Sequence, residues 1–291
     1  FFYNSANKLP FSKFITEKII GIDRKRNMPK ISSYTFESWF KKRKANTTGS
    51  RGKIVFFHDT HINYIHPEVG KSAVKILESA GYEVEITDRK CCGRTLISKG
   101  LLEEAKKYVD YNTNLLSSYV EAGIKIVGIE ASCVSAIQDE LPDLADQREK
   151  AQKISDNTFT IQDLIMQIQN DGKQQIKWNE TNKDLLLFVH CHERALNGTN
   201  NSLGSLNLPG KFKAKLIDAG CCGMAGSFGM EKEHYEISKT MANDRLLPAI
   251  ENSEENQEII VTGISCHDQI KDLSSKTPKY LVEVLAEAVS D

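Results

Sequence analysis

The chain has 291 residues, 40% hydrophobic and 26% charged, enough to bury one large core or two modest ones. A formal net charge of -1 gives no general attraction to nucleic acid, and no apolar run approaches the roughly 18 residues that cross a bilayer. Seven cysteines, an odd number, with no signal-peptide pattern argue for reduced thiols in the cytoplasm and against a secreted disulfide scaffold.

Residues 1–50 show no sustained hydrophobic period, contain Lys41-Lys-Arg-Lys44 and end in Asn46-Thr-Thr-Gly-Ser50. They read as an N-terminal arm and linker, with the basic run solvated. The opening Phe1-Phe2-Tyr3, without methionine, is expected of a piece of a longer polypeptide. Strand 53–58 leads to a loop holding His58, His61 and His66, then to a helix opened by Pro67 and stopped by Gly81. Strand 82–87 delivers Cys91-Cys92-Gly93, after which Ser98 is expected to cap a long helix with Leu101, Leu102, Ala105, Tyr108 and Val109 on one side. Strand 124–129 feeds Glu130-Ala-Ser-Cys133 and a short helix ending near Pro142. Helical stretches over 145–170 and a polar segment from Gln174 to Asn182 bridge to the second half.

The second half repeats the order. Strand 184–189 meets a His190-Cys191-His192 turn, and strand 213–218 meets Cys221-Cys222-Gly223. A helix over 231–250, strand 258–262 and Ser265-Cys266-His267 follow. The last helix is expected to start at Thr277-Pro278 and to turn Tyr280, Leu281, Val284, Leu285 and Ala288 inward. Superimposing the halves aligns Cys91 and Cys92 with Cys221 and Cys222, Cys133 with Cys266, Thr60 with Cys191, and Glu130 with Gly263. All seven cysteines fall at repeat positions, the mark of an internal duplication. The expected fold is α/β: two pseudo-symmetric lobes, 51–170 and 171–291, each a small parallel sheet flanked by helices with cysteine loops at strand C-terminal ends.

Adjacent side chains of an extended segment point to opposite faces, so a vicinal pair converges on one ion only if the backbone turns sharply. Gly93 and Gly223 permit such a turn. A polynuclear cluster accommodates neighbouring sulfurs more readily than one Zn2+, although thiolate suits both. The second half supplies Cys191, Cys221, Cys222 and Cys266, the four thiolates of a 4Fe-4S cluster, with His192 as a further candidate ligand. Gly220, Gly223, Gly226 and Gly229 let backbone N–H groups approach anionic sulfur there. The first half offers Cys91, Cys92 and Cys133 as a weaker site. His66 and His234 read as structural, and Asp59 and Glu130 lack any paired-carboxylate signature.

His58-Asp-Thr-His-Ile-Asn-Tyr64, Cys91-Cys-Gly-Arg-Thr-Leu-Ile-Ser-Lys-Gly-Leu-Leu102, His190-Cys-His192 and Gly220-Cys-Cys-Gly-Met-Ala-Gly-Ser-Phe-Gly229 resemble the cysteine-rich CCG-domain family. The resemblance is to the B-subunit of heterodisulfide reductase and the glycolate oxidase iron–sulfur subunit, and more closely to the C-terminal region of fused FAD-linked oxidases of the D-lactate or glycolate dehydrogenase type. It implies electron transfer from an FAD domain, carried outside this segment, through a ferredoxin-like domain and this region to a quinone or other acceptor. It also implies peripheral membrane association through partners at the inner face of the membrane. The family's Cys-x-x-Cys after each CCG is reduced here to Cys133 and Cys266, with Glu130 and Gly263 in the partner positions. Neither half reaches the five cysteines of a noncubane disulfide-cleaving cluster. A zinc-holding docking module and a heterodisulfide-reductase-like thiol protein are the competing readings.

Overall fold

The computed structural model describes residues 2–6, 11–171 and 175–290; Gln174, at the start of the bridge between halves, lies outside the described residues. Two four-stranded sheets form, every pairing parallel. The first contains β1 (Lys53–Phe56), β2 (Glu83–Glu85), β3 (Lys125–Gly128) and β4 (Thr158–Thr160) in the order β2-β1-β3-β4. The second contains β5 (Lys183–Phe188), β6 (Phe212–Leu216), β7 (Glu258–Val261) and β8 (Lys279–Tyr280) in the order β6-β5-β7-β8. The two topologies are the same, as a duplication requires. In each, the strand order reverses beside the first strand of the lobe, and such a switch point opens a crevice at the strand C-terminal ends.

Alternation along β1 sends Ile54 and Phe56 into a core shared with the second lobe, while Val55 and Phe57 enter a smaller core with Val109, Leu116 and Ile137. The shared core forms because helices cross the seam. Pro67–Ser79 packs against Leu281–Ala288 of the other lobe, and Ile161–Asn170 packs against Asn200–Leu206. These are equivalent pairs under the pseudo-twofold, and their apolar faces need each other.

Several sequence expectations require correction. Ser98 does not cap the long helix: it closes a short helix, Arg94–Ile97, and Gly100 at φ +73 separates that from Leu102–Glu121. Leu101 and Leu102 are consequently exposed, while Ala105 and Val109 are buried. β4 interrupts the stretch read as helical over 145–170, and β8 takes the place expected for the start of the last helix. That helix begins at Leu281, with the Glu283 carboxylate accepting from Tyr280 N at 2.8 Å. The 231–250 helix is broken at Arg245 into Tyr235–Asp244 and Leu246–Glu251.

The segment before residue 50 does more than tether. Phe36, in the helix Phe36–Lys42, is fully buried in the shared core against Phe56 and His58. Residues 21–26 run beside 230–232, with Asp23 N donating to Met230 O at 2.9 Å and Lys232 N to Gly21 O at 2.8 Å. Lys41, Lys42 and Lys44 are exposed, whereas Arg43 pairs with Glu78 at 2.6 Å.

Candidate metal centre

Each lobe places its cysteines at the C-terminal ends of its strands. In the second lobe, Cys191 opens the helix Cys191–Leu196 after β5, Cys221 and Cys222 occupy the loop after β6, and Cys266 sits in the first turn of Ile264–Leu273 after β7. Their thiols are neighbours in series: Cys191 acts on Cys221, Cys221 on Cys222, and Cys222 on Cys266. Gly223, at φ +90, makes the turn that brings the vicinal pair to one side, and its N–H donates to Cys221 Sγ at 3.3 Å. A side chain at 223 would meet Ser238 O at 2.3 Å, so the loop also needs glycine for close packing. Ala225, at φ +42, and Gly226, at φ +68, also have positive φ in the same loop.

Neighbouring thiols polarise one another along the series. The Cys191 and Cys222 side chains hold the Cys221 thiol well below its ordinary range. The neighbouring Cys221, followed by burial, pushes Cys191 up. Cys222 is pushed up by Cys221 and Cys266 and then by burial. Four sulfurs strung together in this way cannot all ionise unless cationic charge joins them. The donor set, thiolate only and served by a backbone N–H, fits a metal–sulfur centre.

Cys191, Cys221 and Cys222 face a cavity of about 580 Å³ whose opposite wall belongs to the first lobe: His61, Arg94, Thr95, Ser98, Lys99 and Ser132. Cys266 is fully buried behind them. Arg94 follows the first CCG turn, binds both carboxylate oxygens of Glu140, and donates to Ser135 Oγ at 3.1 Å. Ser135 Oγ in turn lies 3.2 Å from His192 Nδ1, so one ring nitrogen of His192 is engaged by the first lobe. Burial, then Arg94, lowers the His192 pKa. His190 accepts from His192 N at 3.2 Å as the cap of its helix, and burial pushes it down to about 4, which keeps the ring neutral.

The first lobe differs. Cys92 and Cys133 sulfurs are 3.0 Å apart, and Asn112 pins the vicinal pair's loop by donating to Cys91 O at 3.1 Å. Thr60, aligned with Cys191, is exposed. Asp59 is a helix cap, accepting from His61 N at 2.8 Å and Ile62 N at 3.0 Å, the role His190 plays in the second lobe. Glu130 does not turn toward the cysteines: its Oε2 crosses the seam and accepts from Ile264 N at 2.8 Å. It therefore caps the helix that carries Cys266, where Gly263 has no side chain to do so. A side chain at 263 would meet the His190 ring at 2.6 Å, so the position opposite Glu130 admits little more than glycine.

Residues that sequence reasoning passed over complete the surroundings. Arg26 is 1% exposed and donates to Gly229 O at 2.8 Å, Gln269 Oε1 at 2.6 Å and Ser238 Oγ at 2.9 Å. Gln269 passes the connection on to Cys222 O at 2.8 Å. The buried arginine thus fixes the backbone of the cysteine loop from the N-terminal segment. Its only sequence signal is an arginine in a stretch without periodicity, which gives no hint of burial. Arg94 and Lys99 had a better signal, standing within the quoted Cys91–Leu102 segment. His58 bonds Glu37 at 2.9 Å, and His234 stacks on Phe228 at 3.9 Å, both structural roles.

This pair of parallel α/β lobes, each with a vicinal cysteine turn at its switch point, is matched by the family model described as the CCG cysteine-rich domain over residues 55–138 and 185–271. The chain belongs to that cysteine-rich family. It is 28% identical over 291 residues to the C-subunit of the anaerobic glycerol-3-phosphate dehydrogenase of Escherichia coli (strain K12), covering 99% of this chain and 72% of that one. It is 23% identical to the D-2-hydroxyglutarate dehydrogenase of Pantoea ananatis, covering 81% of this chain but 22% of that one. It is 24% identical to lactate utilization protein A of Bacillus subtilis, covering 74% of this chain and 87% of that one. No helix among the described residues is long and apolar enough to cross a membrane.

Proposed function

We propose that this chain is the iron–sulfur electron-transfer module of a flavin-dependent dehydrogenase acting on a small hydroxy acid, and that Cys191, Cys221, Cys222 and Cys266 hold a 4Fe-4S cluster. The observation that carries the reading is the series of four sulfurs gathered from three strand ends, three of them facing a cavity between the lobes. The spread of the sulfurs favours a cluster over a single ion. Tetrahedral zinc with bonds of about 2.3 Å would draw its thiolates to roughly 3.8 Å of one another. Among the described residues, the group whose ligand atoms all lie within 4.8 Å of one another is a histidine–aspartate set and not these cysteines. A bound cluster would supply one-electron steps between a two-electron flavin and an acceptor.

The chain's own residues set the conditions for that role. Gly223 N–H donates to sulfur, Gln269 holds the Cys222 carbonyl, and Arg94 and Lys99 form the far wall of the cavity through which an electron partner approaches. Two relatives named as dehydrogenases, for glycerol-3-phosphate and D-2-hydroxyglutarate, and one named for lactate utilization support a dehydrogenase partner, on which this reading places the FAD. The test is anaerobic purification or reconstitution with quantification of iron, acid-labile sulfide and zinc. About four irons with matching sulfide per second-lobe site, and a brown colour bleached by dithionite, are expected. Stoichiometric zinc in a colourless protein would overturn the proposal.

A further inference from the structure

Apart from the cysteine cavity, the seam holds a second set of donors. One ligand atom from each of His66, His267 and Asp268 lies within 4.8 Å of the other two. His66 comes from the first lobe, where it immediately precedes Pro67–Ser79 and its backbone N–H donates to His61 O at 2.8 Å. His267 and Asp268 come from Ile264–Leu273, the helix that carries Cys266. His66 Nε2 is buried and has no hydrogen-bond partner among the described residues, and a buried polar nitrogen left in this way is costly. The rings are held in place. His267 stacks on Tyr280 at 5.2 Å and 13°, and the His66 ring lies 5.3 Å from that of His267. Asp268 Oδ1 is 3.0 Å from His267 Nδ1, close to the separation of two ligand atoms bound about 2 Å from one ion.

We propose that His66, His267 and Asp268 bind one divalent cation of borderline softness, such as Zn2+ or Co2+, which clasps the first lobe to the helix carrying Cys266. Two imidazoles and a carboxylate match the preferences of these ions, and three protein ligands leave a position for water. The site uses no cysteine and does not depend on the iron–sulfur reading. Its metal ties together two elements already joined by the Glu130 cap, so its binding energy adds to the stability of the seam.

The full chain, titrated with Co2+ under reducing conditions, separates this site from the thiolates by colour. Cobalt at His66, His267 and Asp268 gives visible ligand-field bands without the near-ultraviolet sulfur-to-cobalt charge transfer. One such ion is expected in the wild type and in the double variant Cys191→Ser/Cys221→Ser, with affinity reduced at least tenfold in His66→Ala and in Asp268→Asn. Zn2+ is expected to raise the melting temperature of the wild type and the cysteine variant only. Asp268→Asn changes a half-buried surface carboxylate, so it carries the test should His66→Ala fail to fold. Unchanged cobalt affinity in Asp268→Asn, or charge-transfer bands accompanying every bound cobalt, would overturn the proposal.

Discussion

The two lobes share a topology but use the same positions differently. After the first strand, the second lobe has Cys191 facing the cavity and the first has exposed Thr60. After the third strand, Gly263 leaves room for the His190 ring, while Glu130 reaches over the seam to cap its neighbour's helix. One lobe keeps a sulfur set that faces an opening; the other has turned its loop residues into walls and caps for that set. Duplication thus left one lobe with a sulfur set and the other with the wall that faces it, and among the aligned positions it is Glu130 that reaches across.

The comparison breaks most sharply at the sulfurs. Cys221→Ser or Cys266→Ser is expected to abolish iron retention at the second-lobe site, while Cys92→Ser or Cys133→Ser leaves that iron in place, as read by iron and sulfide content. Equal losses from both pairs would mean that the lobes are not divided in this way. The next effect comes from Arg26, which braces only the second loop. Arg26→Ala takes the arginine donors from buried Gln269 Oε1 and the Gly229 carbonyl and is expected to cost roughly 1–3 kcal/mol in urea unfolding. A loss no larger than that of an exposed lysine such as Lys41 would count against the brace.

Glu130→Ala removes the cross-seam cap and is expected to cost about 1 kcal/mol. A helix cap contributing nothing would leave the denaturation midpoint where it was. The smallest effect is acid sensitivity of the N-terminal segment. Hydrogen bonding to Arg24 holds the Glu17 carboxyl down, from an ordinary 4.5 to about 2. A depressed folded-state pKa contributes stability above pH 4.5 that is lost as pH falls toward 2. Glu17→Gln is therefore expected to flatten the stability profile over that window and to leave the slope at neutral pH unchanged.

Most of this organisation was legible in the sequence because it rests on local signals. Six of the eight strands announce themselves by apolar runs or by alternation of apolar and charged residues, and the vicinal cysteines mark both turns. β4 and β8 escaped because they are three and two residues long; pairing with β3 and β7, not periodicity, makes them strands. The same applies to Arg26 and Phe36, whose burial is decided by elements some 200 and 20 residues away in sequence, respectively. Glu130 was recognisable as out of place in a cysteine pattern, but its actual partner, a backbone N–H of the other lobe, has no signature in one dimension.

The helix exchange at the seam has a consequence for how such a chain can be divided. Pro67–Ser79 and Ile161–Asn170 each bury their apolar side on a helix of the opposite half, and the two contacts are related by the pseudo-twofold. A polypeptide of half this length would carry both complementary surfaces at once and leave both wet. Two copies of it would satisfy each other through a self-matching contact, so a single lobe expressed alone should be found as a homodimer or as an aggregate, and not as a folded monomer.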